Sequence, residues 1–194
     1  MDDPAYRAIP RAFFDRPARQ VARALLGTLI AHRTPHGRKV ARVVETEAYV
    51  RRDPASHAFA GPTRRNRSMF ERPGTLYVFR IHQVVCANAV ARRGEAVLFR
   101  AAEPVAGLDD DPSGPGRLCR ALHIPLALDG TDLIEGPVTI SAGHRRRAER
   151  TLLGPRVGIL KARDRTLRFA LDANPWVSRP RPPGWTRGPA TPPT

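Results

Sequence analysis

At Thr28 the chain changes texture. Before it, Ala18, Val21, Ala22, Leu25 and Leu26 recur at helical spacing behind Asp15, a candidate N-cap, and Pro17, and the pattern stops at Gly27. After it come short β-branched or apolar runs at 28–31, 40–49, 75–81, 84–90 and 96–101, separated by turn residues such as Pro35-His36-Gly37 and Arg93-Gly94. Strand runs joined by tight turns pair antiparallel. A second short helix is expected over 116–122, and further strands near 138–141, 156–160 and 166–171. The expected class is therefore α+β: a single domain over 1–178 with a curved, mostly antiparallel, partly open barrel-like β-sheet, flanking helices and a protruding β-hairpin. A chain of 194 residues is about the length of one such domain. Residues 109–116 read as a loop, and residues 179–194, rich in Pro, Arg and Gly, as a disordered tail.

Charge narrows the partner. There are 33 basic residues against 18 acidic ones, a formal net charge of +15, and since Lys39 and Lys161 are the sole lysines the excess is almost wholly guanidinium. Such a balance favours an anionic partner, nucleic acid before a membrane surface, because no basic amphipathic helix supports the membrane reading. No apolar run approaches the ~18 residues that span a bilayer, and the N-terminus lacks the basic start and apolar stretch of a signal peptide. A cytoplasmic location is expected. Cys86 and Cys119 are the only cysteines, and they stand in no zinc-site spacing, so they are expected as buried reduced thiols with neither metal nor cofactor.

Three stretches can carry chemistry. In Val43-Val44-Glu45-Thr46-Glu47-Ala48-Tyr49, period-two alternation puts Glu45, Glu47 and Tyr49 on one strand face. On spacing alone a solvated, ion-paired face explains the two like charges better than a functional site does. Arg100 closes an apolar strand run, Ala96-Val97-Leu98-Phe99, where a buried guanidinium must find a partner such as Glu47. Arg64, Arg65, Asn66 and Arg67 form a cationic loop beside the apolar anchor Met69-Phe70, a build suited to phosphate contacts and equally to plain solvation. His57, alone in a loop of small residues, favours a structural role, and Tyr77, Phe79 and Ile81 share one face of a strand as ordinary core residues would.

Taken in order, these segments resemble the alkyladenine (3-methyladenine) DNA glycosylase family of base-excision repair. The likeness runs from the opening helix to Pro175-Trp176-Val177-Ser178 and includes Glu45-Thr46-Glu47-Ala48-Tyr49, His57, Arg65-Asn66-Arg67-Ser68-Met69-Phe70 and Pro73-Gly74-Thr75-Leu76-Tyr77-Val78. It continues through Leu98-Phe99-Arg100-Ala101, Gly116-Arg117-Leu118-Cys119 and Arg156-Val157-Gly158. The resemblance implies a nucleoid-associated repair enzyme, monomeric and free of metal and cofactor, acting on double-stranded DNA that contains damaged purines. Glu47 becomes the general base, Arg100 its orienting partner, and a carbonyl near Ile159 part of the water site. Tyr49, His57 and Phe79 surround the flipped base, Asn88 opposes guanine's exocyclic amine, His82 fills the gap left in the duplex, and Arg64, Arg65, Asn66 and Arg67 grip the DNA backbone. Two residues depart from the family pattern. Phe79 stands where Tyr is usual, and the hairpin tip reads His82-Gln83, one residue short, where a Tyr followed by Gly is usual. Hydrolysis without lyase chemistry is expected, because neither lysine lies in a family motif. The competing readings are a non-catalytic nucleic-acid-binding protein and a metal-dependent nuclease built on Glu45 and Glu47.

Overall fold

The computed structural model describes residues 7–179 and 185–187. Its centre is a long strand, β2 (Gly37–Tyr49), whose apolar positions Val40, Ala41, Val43, Val44 and Ala48 are all buried. Along one edge β2 pairs antiparallel with β5 (Ala96–Ala106). Along the other it pairs first with β1 (Leu29–Thr34), over Gly37–Arg42, and then with β8 (Arg168–Leu171), over Glu45–Glu47. Where the partner changes, the β2–β5 ladder skips Val44 on one strand and Arg100 on the other. Such bulges bend a strand and re-aim its side chains, and here the bend curls the antiparallel sheet into a half-barrel. The remaining strands extend this frame. β3 (Leu76–Ile81) and β4 (Val84–Val90) form a hairpin attached through β4 to β5, β6 (Val138–Ser141) pairs with β1, and β7 (Thr151–Gly154) pairs with β8. The α+β class and the antiparallel pairing agree with the sequence reading.

Among the described residues three α-helices flank the sheet: α1 (Arg11–Phe14), α2 (Ala18–Leu25) and α3 (Pro115–Ala121). The apolar stripe Ala18, Val21, Ala22 and Leu25 of α2 is fully buried, and Thr46 Oγ1 donates to the Ala22 carbonyl at 2.8 Å, fixing the helix to β2. Asp15 is not the N-cap expected. It ends α1, its N–H bonded to the Arg11 carbonyl, while the Ala18 N–H at the start of α2 is accepted by the carboxylate of Glu95, 77 residues away. A distant acid satisfies the helix terminus as well as a local one.

One expectation fails further along. Residues 156–160 are not a strand; the strand is β7, just before them. The Arg156 side chain turns inward to a fully buried Asp53, and Gly158 adopts φ +76°, outside the extended region, so the segment leaves the ladder as a loop. Within 179–194, expected to be disordered, Thr186–Arg187 forms β9 against β7; residues 180–184 and 188–194 lie outside the described ones. Cys86 and Cys119 are free and buried. Among the described residues no helix is long and apolar enough to cross a membrane.

Side chains along β3 divide between two apolar clusters. Leu76 and Val78 join the main core with Phe14, Phe99 and Phe169, whereas Tyr77 and Phe79 join a smaller cluster with Met69, Val90, Ala96 and Tyr49. Alternation along the strand therefore gives the sheet a second, aromatic face.

Candidate active site

Glu45 and Glu47 are both completely buried. Alternation holds, so they share a face, but that face is not solvated. Between them stands Arg100: its Nε lies 3.0 Å from Glu45 Oε1 and its Nη1 3.4 Å from Glu47 Oε1. Arg168, the register partner of Glu47 on β8, reaches diagonally to place its Nε 2.5 Å from Glu45 Oε1. The Ser178 N–H donates to Glu45 Oε2 at 2.7 Å, and the Ser178 hydroxyl accepts from Arg100 Nε at 3.1 Å. Two buried carboxylates thus face two buried guanidiniums, the balance that makes such burial tolerable. With their oxygens already held by Arg, Tyr and backbone donors, the two carboxylates do not form an open pair for a cation.

The remaining ligands of Glu47 are the Tyr49 hydroxyl, donating to Oε2 at 3.1 Å, and the Val157 N–H, donating to Oε1 at 2.9 Å. Burial pushes the Glu47 carboxyl above its ordinary range; Arg100 and the Val157 N–H pull it back in part, and Glu45 adds to the rise. Burial, with Glu47 beside it, drives the Tyr49 phenol far upward, so the hydroxyl keeps the proton it donates to Glu47.

In front of this layer opens a cavity of about 560 Å³, within the range that holds a small organic ligand. Tyr49, His57, Tyr77, Phe79, Asn88 and Arg100 are among its walls. Glu47 is not. It lies one layer back, behind Tyr49, Arg100 and Val157, which all face the cavity. Tyr77 and Phe79 stack with ring centroids 5.4 Å apart, and the His57 ring meets Phe79 edge-on at 4.4 Å. His57 Nδ1 lies 2.9 Å from the Tyr77 hydroxyl; burial, and then the charge of Arg65, lowers its pKa, favouring the neutral ring. Asn88 is buried and donates its amide to the Tyr77 carbonyl at 3.0 Å.

An aromatic-walled chamber with a buried carboxylate behind it suits a planar heterocycle. The model of the methylpurine-DNA glycosylase family matches residues 12–175, most of the chain. The chain belongs to that family. Curated relatives agree. A protein of Methanoculleus marisnigri, provisionally named a 3-methyladenine DNA glycosylase, is 44% identical over 190 residues, covering 88% of this chain and 98% of its own. One of Anaeromyxobacter dehalogenans with the same name is 45% identical over 184 residues, covering 91% and 87%, and one of Agrobacterium fabrum is 42% identical over 184 residues, covering 88% and 92%.

In this methylpurine-DNA glycosylase the structure gathers Glu47, Arg100, Tyr49, His57, Phe79 and Asn88 around one cavity, with His82 on its rim. His82 and Gln83 form the exposed two-residue tip of the β3–β4 hairpin, with His82 at φ +52°. Arg64, Arg65 and Arg67 are exposed on the loop beyond His57. Asn66 between them is buried: its Oδ1 accepts from the Thr63 hydroxyl at 2.9 Å, and its Nδ2 donates to the His57 and Gly61 carbonyls at 2.7 and 3.1 Å. It holds the loop in shape rather than facing outward. The Ile159 carbonyl, expected near the water, accepts from Arg163 Nε at 3.0 Å, while the Val157 N–H reaches Glu47.

Sequence reasoning missed Arg168, Ser178 and the Arg156–Asp53 pair. Arg156 also stacks under the Tyr49 ring, 4.6 Å from its centroid, and donates to the Ala48 carbonyl at 3.1 Å. For Arg168 a signal existed: an arginine inside the apolar run Leu167-Arg168-Phe169-Ala170-Leu171 poses the same question as Arg100. Two arginines in the sequence His144-Arg145-Arg146-Arg147 serve the fold. Arg145 is tied to the Leu26 carbonyl and Thr151, and Arg146 to Glu103 and Glu149.

Proposed function

We propose that the protein excises damaged purines from duplex DNA by hydrolysing the N-glycosidic bond with water activated by Glu47. The purine leaves the helix, the aromatic cavity receives it, and stacking on Tyr49, Tyr77 and Phe79 holds it. Glu47 removes a proton from water as the oxygen adds to C1′ of the sugar. The C1′–N bond breaks and its electron pair departs with the base, leaving an abasic site. Cationic alkylated bases such as 3-methyladenine and 7-methylguanine leave readily as neutral molecules and stack favourably on aromatic faces. Neutral lesions such as hypoxanthine and ethenoadenine need a proton delivered as well. Arg100 orients Glu47, Asn88 disfavours guanine's exocyclic amine, His82 fills the emptied position in the duplex, and Arg64, Arg65 and Arg67 contact phosphates.

One observation carries this reading: a fully buried carboxylate with a raised pKa stands directly behind an aromatic-walled cavity of about 560 Å³, large enough to admit a purine. Single-turnover base release from duplexes holding each of the four lesions tests it, comparing native protein with Glu47→Gln. Release is expected to fall by at least about a hundredfold with duplex affinity retained. Equal release by the variant refutes Glu47 as base, and chelator-sensitive strand cleavage refutes the glycosylase reading.

A further inference from the structure

Leu160 is 84% exposed, whereas the next most exposed large apolar side chain among the described residues, Phe59, reaches 54%. Its position is not arbitrary. Leu160 stands on the rim of the base cavity at the apex of the loop between β7 and β8, and His82, on the hairpin tip, stands on the same rim.

The loop is built to hold that apex out. Gly158 at φ +76° and Ala162 at φ +49° bracket it in the left-handed region, where an alanine is strained, and Arg163 Nε closes the turn on the Ile159 carbonyl. Its root is fixed twice, by Arg156 on buried Asp53 and by the Val157 N–H on Glu47. An exposed leucine on a strained, anchored loop gains nothing in the free protein. Around it the surface is cationic: Lys161 and Arg163 are exposed, while Asp164 is the sole acid of the loop and Arg165 lies 3.8 Å from Asp53.

An apolar wedge among cations, beside a cavity that receives a base, fits a duplex whose phosphates meet the cations and whose base stack meets the wedge. We propose that Leu160 inserts into the duplex beside the extruded nucleotide, as a second wedge opposite His82. The proposal deepens the glycosylase reading and rests on it. It also accounts for a hairpin tip that is short and polar: the apolar part of the wedge is carried by the other loop.

The test is affinity for a duplex containing a tetrahydrofuran abasic analogue against affinity for the same duplex undamaged, for native protein and Leu160→Ala, alongside single-turnover release of hypoxanthine from duplex and from single-stranded DNA. The side chain is 84% exposed, so an unchanged Tm is expected. Leu160→Ala is expected to lose about tenfold of the preference for the abasic duplex, and the duplex-to-single-strand release ratio is expected to fall by a similar factor. An unchanged preference, or equal loss on both duplexes, overturns the wedge. If the native protein binds the abasic duplex selectively yet releases no base, the glycosylase reading fails while the affinity measurement still decides the role of Leu160.

Discussion

Glu45→Gln separates a charge-setting role for the rear carboxylate from a merely structural one. Glu45 and Glu47 are two positions apart on one strand face, which sets them about 7 Å apart. At an effective dielectric of about 20, unit charges at that separation repel by about 2 kcal/mol, between one and two pKa units. Glu45 is one of the charges that raise the Glu47 carboxyl, against Arg100 and Arg168, which lower it. Tyr49, the Val157 N–H and Cys86 complete the polar surroundings of Glu47, and they remain in the variant. Neutralising Glu45 leaves both guanidiniums in place, so the pKa of Glu47 falls. The acid limb of the pH profile for single-turnover release should move to lower pH by at least about one unit, and the plateau should drop a few-fold because a weaker base accepts the proton. The variant also deprives Arg168 and Arg100 of an anionic partner and turns an amide toward the Ser178 N–H, destabilising the fold by on the order of 3–5 kcal/mol. Rates are therefore measured well below its Tm, with folding verified by circular dichroism. An acid limb that stays in place or moves up, with the rate lowered equally at every pH, refutes the charge argument.

Glu47→Gln should raise Tm while abolishing release. The folded carboxyl has a raised pKa, so the native fold is favoured below the unfolded value near 4.5 and loses stability as pH rises from there; the variant's advantage in thermal melts should be largest at alkaline pH and vanish towards pH 4. Glu149 behaves oppositely. Burial opposes ionisation, yet hydrogen bonds from Arg42 and the Arg146 N–H outweigh it and hold the carboxyl at about 2. Its stabilisation is complete above about 4.5 and disappears as pH falls towards 2, so Glu149→Gln should flatten the loss of Tm across that window. Asn66→Ala should lower stability by about 1–3 kcal/mol and weaken DNA binding without changing its salt slope, whereas Arg65→Ala should reduce the slope of log affinity against log salt by about 0.9. For the native protein that slope should be far shallower than +15 implies, because Arg42, Arg100, Arg156 and Arg168 are buried in internal pairs.

Much of the fold was legible because local pattern and long-range pairing agree. β4 and β6 lie where alternation and turn residues put them, and β2 differs by three residues at its start. The errors share one cause: a partner remote in sequence. Glu95 replaces Asp15 at the start of α2, and Asp53 pulls Arg156 out of an otherwise strand-like run. The site was half legible. Arg100 declared itself as a charge stranded in an apolar strand and did pair with Glu47, but the burial of both glutamates could not be read from spacing, because it depends on Arg168 and Ser178 arriving from the far end of the chain.

That dependence sets an order of assembly. The half of β2 that bears Glu45 and Glu47 is completed by contacts spanning 123 and 133 residues, to Arg168 and Ser178, and contacts of such separation are closed late. During synthesis, β1, β2 and the β3–β4 hairpin leave the ribosome long before the partners of those carboxylates exist. A chain cut short of residue 168 lacks the β8 guanidinium and the Ser178 N–H that bind Glu45, so the walls of the aromatic cavity come mostly from early sequence and the charges behind it are completed only by the last. With Glu47 as the proposed base, a chain truncated there is expected to be silent rather than unregulated, releasing no base in the single-turnover assay.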